Sequence, residues 1–349
     1  MLPNYSILHK QDIFITEKYE PDIRRDELSF LSRSFERHFN ERPYLHHTCY
    51  LFLTKTTKER SRQQSNWNTL CRGFLVPKEI RDKETVERFM EAVGQFESIV
   101  NDSGLVRLER LTTEEITGTE NEPGIIERYL TLSADGTTML QDMQLNPDGM
   151  RIGDKRLCLH TLSDLDDLPG KVKTDGRYER LSTDRSDCRL SYAAPVGVML
   201  PCDHIYNQWI FIDDSNENLS RFEKAAKNMQ SLSRYSRSNQ INKEWLDEYL
   251  NEAHSNGLQS VRCHCNIIAW AENGHELRRV KNDVGSALAL MECTPHHNTT
   301  DLPALYWAGI PGNEADFPAE ETFYTFTGQA LCFFTAETCY RNSLSPFGI

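Results

Sequence analysis

The chain lacks any apolar run near the roughly 18 residues that a helix needs to cross a bilayer, so no membrane span is expected. Its opening residues, Met1-Leu2-Pro3-Asn4-Tyr5, have neither the basic region nor the apolar core of an export signal. It also lacks positive charge: 39 Lys and Arg stand against 52 Asp and Glu, a formal net charge of −13. Nonspecific nucleic-acid binding needs basic surface to displace counterions, so no direct nucleic-acid partner is expected. A P-loop is missing as well. That motif requires Gly-x-x-x-x-Gly-Lys-Ser/Thr, so that backbone amides cradle the phosphates and the lysine reaches them. Gly309 and Gly312 lack the lysine and the spacing, and Gly170-Lys171 is followed by Val172. The chain by itself is therefore not expected to be an enzyme acting on ATP. Ten cysteines lie between Cys49 and Cys339 without a framework spacing. With no export signal, they read as reduced thiols of a cytoplasmic protein.

What is present suits a globular protein of one large domain or two: 349 residues, 38% hydrophobic and 26% charged. The pattern predicts a strand over 6–16, then a helix from an Asp26 cap to about residue 39, with Leu28, Leu31, Phe35 and Phe39 on one face. A strand over 44–54, a polar and partly basic loop over 55–66 and a strand over 70–76 follow. Asp82 opens a helix with Val86, Phe89, Met90, Val93, Phe96 and Val100 on one face, and residues 105–111 alternate like a strand. The order β-α-β-β-α-β is the signature of a ferredoxin-like unit.

A short helix is expected near 125–132. Strands over 139–145 and 150–162 flank Asn146-Pro147-Asp148-Gly149, a hairpin turn. Residues 163–187 read as a surface excursion, and 190–200 and 204–212 as strands. Helices follow over 217–235 and from an Asn242 cap to Gly257, then a strand over 258–271 and a helix around Leu277–Leu288. The expected fold class is α+β, with two α/β, ferredoxin-like halves, mixed or antiparallel sheets and a β-rich middle. The divisions are 1–112, 113–200 and 201–349.

Cys263-His264-Cys265 and Cys293-x-x-His296-His297 combine thiols and imidazoles, which suit zinc. Cys263 and Cys265 alternate on a predicted strand, however, so both face one side, an ordinary core placement for cysteine. Neither a metal nor any other cofactor is expected for this chain. A self-contained metal-dependent enzyme using Cys263, Cys265, Cys293 and His296 is the alternative reading. His46-His47 with Asp166-Asp167 or Asp213-Asp214 offers acid–base groups, but no nucleophile, base and orienting residue assemble from the spacing. Lys55, Lys58, Arg60 and Arg62, with Trp67 nearby, form a basic cluster that reads as a solvated loop.

The last stretch organises the rest. Residues 304–308 read as a short apolar strand running into Gly309, Pro311 and Gly312, which force a tight loop. Residues 319–335 carry Phe323, Phe326, Ala330 and Phe333 at helical spacing after Pro318. The chain stops on Ser345-Pro346-Phe347-Gly348-Ile349, an apolar, turn-like end that reads as a cut before something else begins.

An aromatic segment, Ile310-Pro311-Gly312-Asn313, a helix and then Ser-Pro-Phe-Gly-Ile together resemble the run-up to the motor domain of type IV secretion ATPases. They are most similar to the TraG-type ATPase of conjugative transposons. Asn242-Lys243-Glu244-Trp245, Glu252-Ala253-His254 and residues 288–292 add to the likeness. The resemblance implies that this region precedes a P-loop motor, to which ATP and Mg belong, and which energises channel assembly and DNA transfer. It implies a docking and assembly role at the cytoplasmic face of the inner membrane. Secretion-channel components would be the partners, and the full-length protein a homo-oligomer. Pro311, Gly312, Asn313, Pro346, Phe347 and Gly348 would then contact the motor.

Overall fold

The structure, a computed structural model, describes residues 2–20, 29–62, 82–133, 141–146, 149–172, 176–180, 182–184, 187–232 and 236–337. The chain is α+β, built on an antiparallel sheet of nine strands among these residues. Its strands are β1 (Ser6–Lys18), β2 (Pro43–Lys55), β3 (Met143–Asn146), β4 (Gly149–Ile152), β5 (Lys155–Leu162), β8 (His204–Ile212), β9 (Ser260–Ala271), β10 (His296–His297) and β11 (Phe323–Phe326). A separate two-stranded ribbon joins β6 (Gly176–Arg177) to β7 (Arg189–Leu190). The main order is β2-β1-β8-β9-β5-β4-β3, with β10 beside β5 and β11 beside β9. Strands from the first, middle and last stretches thus share one sheet.

Register sets which side chains share a face. His9 lies opposite Trp209, and Trp209 opposite His264, so the odd residues of β1 and β8 and the even residues of β9 lie together. One face packs Ile7, Leu157, Leu159, Ile205, Trp209, Phe211, Ile268 and Trp270 against the helix Leu302–Ala308 and the segment through Phe317. The other packs Tyr206, Cys265, Ile267 and Ala269 against Val280, Val284 and Leu288 of the helix Gly274–Leu290. Because both faces are covered, β8 and β9 are buried along nearly their whole length, polar residues such as Asn207, Gln208, Arg262, His264 and Asn266 included. Beyond the end of β9, Leu219, Ala226, Leu250, Ala253 and Phe326 form a further cluster with the helices Ser215–Leu232 and Arg237–Asn256.

Several expected elements take other forms. Residues 304–308 are not a strand but the helix Leu302–Ala308, with Pro303 in its first turn. Leu302, Leu305 and Tyr306 are buried together at helical spacing, which overrides the aromatic strand propensity. Residues 319–335 are not one helix. A 3-10 turn (Ala319–Glu321), β11 and the short helix Thr327–Leu331 replace it, because Phe323–Phe326 pairs with Ser260–Cys263 of β9. Aromatic and β-branched residues suit that pairing, and Phe323, Thr325 and Phe326 are buried by it. Residues 105–111 form no strand, and Leu105 is exposed. Residues 190–200 hold a 3-10 turn (Ala194–Val196) containing Pro195 instead of a strand. The helix expected at Asn242 begins at Arg237 with Ser236 as its cap.

Asp26, Leu28, the strand expected over 70–76 and Trp67 lie outside the described residues. The helix Phe30–Phe39 is capped by Ser29, and its apolar face is not inward: Leu31 is 78% exposed and Phe35 54%.

Candidate functional site: the 309–316 loop

The site is built where the helix Leu302–Ala308 meets the sheet. Tyr306 donates its hydroxyl to the Tyr129 carbonyl at 2.8 Å, and Tyr129 returns a hydroxyl bond to the Tyr306 carbonyl at 2.8 Å. Both side chains are buried and their rings lie 4.8 Å apart, so the helix Ile125–Thr131 is clamped to the helix Leu302–Ala308. The chain then turns at Gly309. A Cβ there would meet the Tyr129 hydroxyl at 2.5 Å, so only glycine fits. Gln11 Nε2 donates to the Gly309 carbonyl at 3.0 Å and ties the turn to β1.

Ile310 is buried, Pro311 half-buried and Gly312 exposed at φ +94°, a conformation that favours glycine. Asn313 stands at the start of a 3-10 turn (Glu314–Asp316) and donates to the Trp307 carbonyl at 3.4 Å. Glu314 turns back inward and is fully buried. It accepts from the Gly312 amide at 3.2 Å and from the Thr54 hydroxyl at 2.8 Å. Asp316 is bound by the Arg60 guanidinium, whose Nε lies at 3.2 Å. The loop is therefore fixed at both ends and in its middle. It presents Gly312 outward, beside a Trp307 that is 53% exposed.

Beneath the loop, polar side chains cross the sheet where an apolar core is usual. Gln11 lies opposite Asn207, Asn207 opposite Asn266, and Asn266 opposite Thr161. All four are buried. Buried polar groups need partners, and these find each other: Gln11 and His9 bond Asn207, Asn207 bonds Asn266, and Asn266 bonds His264, each at 3.0 Å. Burial pulls the His264 pKa down to about 3, so its ring is neutral.

The other expected groups are placed as follows. Pro346, Phe347 and Gly348 lie outside the described residues, so Pro311, Gly312 and Asn313 stand alone from that set. His46 and His47 do not meet Asp166, Asp167, Asp213 or Asp214. His47 Nε2 lies 2.9 Å from Asp12, and His46 lies 3.5 Å from Glu17. Asp12 is buried and also binds Lys10, the Thr335 hydroxyl at 2.8 Å and Gln208 at 3.1 Å. Burial alone would raise its pKa, but the His47 hydrogen bond and the Lys10 ammonium outweigh it and hold the carboxyl well below the usual carboxylate range. Asp213 takes Arg262 instead, at 2.6 Å, with both side chains buried. Asp214 accepts from the Glu217 amide at the start of the helix Ser215–Leu232, and Asp167 binds His296 at 2.6 Å. The loop reading of these acids missed Asp12, since its partners lie 2, 35, 196 and 323 residues away.

The basic cluster is largely neutralised from within. Lys58 and Arg62 both pair with Glu217, at 2.8 and 3.2 Å, Arg60 pairs with Asp316, and Lys55 donates to the Asn4 carbonyl at 2.7 Å. Cys263 packs with Leu8, Ile210 and Phe323, whereas Cys265 and Cys293 pack with Leu288 and Phe333. Burial raises the Cys265 thiol to about 12 and holds the Cys263 thiol well above its usual value, as expected of thiols packed in a core. Among the described residues no group of three or more His, Cys, Asp or Glu is arranged to hold a metal ion, and no helix is long and apolar enough to cross a membrane. In comparisons with known proteins, no family model matches the chain and no curated protein matches it either.

Proposed function

We propose that this chain is the assembly and docking region of a conjugation ATPase of the TraG type, serving a type IV secretion channel at the cytoplasmic face of the inner membrane. In this reading it performs no catalysis of its own, uses no cofactor and leaves ATP and Mg to a motor domain. Channel components are its partners, and the full-length protein is a homo-oligomer. The observation that carries the proposal is the loop of residues 310–313, whose sequence prompted the resemblance. It is held from both sides: Gln11 bonds the Gly309 carbonyl and Tyr129 the Tyr306 carbonyl before it, Thr54 bonds the Glu314 carboxylate and Arg60 the Asp316 carboxylate after it, while Gly312 and Trp307 are exposed. A rigid, outward loop on a buried foundation suits contact with another domain or subunit, because little conformational entropy is lost when it docks.

Two measurements test it. Purified chain titrated with Mg-ATP is expected to show neither calorimetric binding nor phosphate release. Co-expressed with the channel components of a conjugative element, it is expected to co-purify with at least one at fixed stoichiometry. Turning Trp307 to Glu is expected to weaken that association at least tenfold, the cost typical of a lost aromatic anchor. ATP turnover by the chain, or failure to associate with any channel component, would overturn the proposal.

A further inference from the structure

β2 ends the main strand order on one side, and it is long: 13 residues, Pro43–Lys55, against four for β3 at the other end. Its pairing with β1 runs unbroken from Ser6–Lys55 to Lys18–Pro43, without a bulge. Just beyond one end, Tyr19 donates its amide to the Arg42 carbonyl. Just beyond the other, Thr56 donates to the Tyr5 carbonyl. Both bonds fall at even positions of this segment. An antiparallel ladder alternates, so the even residues of β2 bond β1. The odd ones, Leu45, His47, Cys49, Leu51 and Leu53, turn both amide and carbonyl outward. Among the described residues, nothing hydrogen-bonds those outward groups.

Exposed edges are ordinarily protected. Short length, a proline or lysine within the strand, a bulge or a covering segment keeps another chain from adding on. β2 has Pro43 and Lys55 only at its two ends, and no Pro, Gly, Lys, Arg, Asp or Glu from 44 to 54. Cys49, at its midpoint, is exposed.

This edge is complementary to itself. A two-fold axis at Cys49 would set the outward residues of one β2 against those of another. Every outward amide and carbonyl from Leu45 to Leu53 would then gain a partner. The same register places Leu45 opposite Leu53, Thr48 opposite Tyr50 and Tyr44 opposite Thr54. Apolar pairs and pairs of an aromatic with a β-branched residue stabilise sheets. Pro43, which has no amide to give, falls at the end of the ladder. With no formally charged residue from 44 to 54, no like charges are opposed there.

We propose that β2 is a dimerisation edge, to which a second copy of this chain adds antiparallel with Cys49 facing Cys49, so that two sheets become one. A second copy fits better than a foreign strand, because the complementarity lies within one sequence and is centred on the midpoint of the strand. The pairing stands on β2 alone, so it holds or fails apart from the docking role of the 309–316 loop.

Sedimentation equilibrium of the full chain is expected to show monomer and dimer in exchange. Residue-resolved amide exchange then reads the edge. The Leu45, His47, Cys49, Leu51 and Leu53 amides are expected to exchange at least about tenfold more slowly in concentrated than in dilute protein, while the even amides between them stay slow in both. In a mixture of isotope-labelled and unlabelled copies, NMR is expected to show an intermolecular contact between the α-protons of Thr48 and Tyr50. Cys49→Lys sets two ammonium groups face to face and is expected to raise the dimer dissociation constant on the order of tenfold, whereas Cys49→Ser should leave it near the wild-type value. The exchange measurement uses the wild-type chain, so it decides even if Cys49→Lys does not fold. A chain that stays monomeric would overturn the proposal. So would odd amides already slow in the monomer, which would mean that another part of the chain covers the edge, or a dimer whose β2 amides ignore concentration.

Discussion

Arg262 and Gly309 carry the sharpest expectations at the scale of single residues. Arg262 donates to both Asp213 oxygens, to the Ser61 hydroxyl and carbonyl and to Thr322, and lies over the Phe211 ring. Arg262→Ala leaves Asp213 buried and unpaired, and a loss of about 3–5 kcal/mol is expected in urea unfolding. Arg262→Lys should recover only part of it, because an ammonium cannot reproduce the forked geometry. Gly309→Ala drives a methyl into the Tyr129 hydroxyl, and a cost of about 1–3 kcal/mol is expected. Adding Tyr129→Phe removes that oxygen, so the two changes together should cost less than their sum. A strictly additive double mutant would show that the clash is not the cause.

At the scale of elements, the strands tie distant segments together through buried titratable groups. Asp12 of β1 holds Thr335 and His47, and its carboxyl is depressed by them. A depressed carboxyl contributes stability that is fully present above the unfolded value and lost as pH falls toward the folded one. His160 of β5 and His264 of β9 act in the same direction. Burial lowers both, to about 4 and about 3, so the unfolded chain takes up protons first as pH falls below about 6.5. The urea midpoint is expected to fall steadily from pH 7 to about pH 3. Asp12→Asn should lower stability at pH 7 and flatten the part of that decline below about pH 4. A midpoint independent of pH over this range would contradict both assignments.

At the scale of the whole molecule, the described residues leave apolar side chains uncovered: Phe30, Leu31 and Phe35 of the helix Phe30–Phe39 are exposed, Phe30 at 86%. Leu31→Glu with Phe35→Glu is expected to change unfolding stability by less than about 0.5 kcal/mol, as exposed positions usually do. A loss of several kcal/mol would mean that this face is covered by the rest of the chain.

How much of this was legible in sequence can be argued from particular elements. Residues 204–212 and 258–271 announced β8 and β9, because β-branched and aromatic residues recur along them often enough to read as strands despite the polar residues between. Asp82 and Gly257 marked helix ends through local capping, which depends on a few neighbouring residues only. Local pattern failed at 304–308 and 319–335, where helix or strand was decided by what lay opposite: Tyr129 for one, β9 for the other. The loop of residues 310–313 was visible as a turn, but its foundation was not. Gln11, His9, Asn207 and Asn266 are ordinary polar letters until the register of β1, β8 and β9 sets them in rows. The sequence by itself determined the α+β class and the central strands, because periodicity and capping are short-range properties. The tertiary structure alone decided which charges are buried and paired, because those partners lie hundreds of residues apart and meet only once the sheet has closed around them.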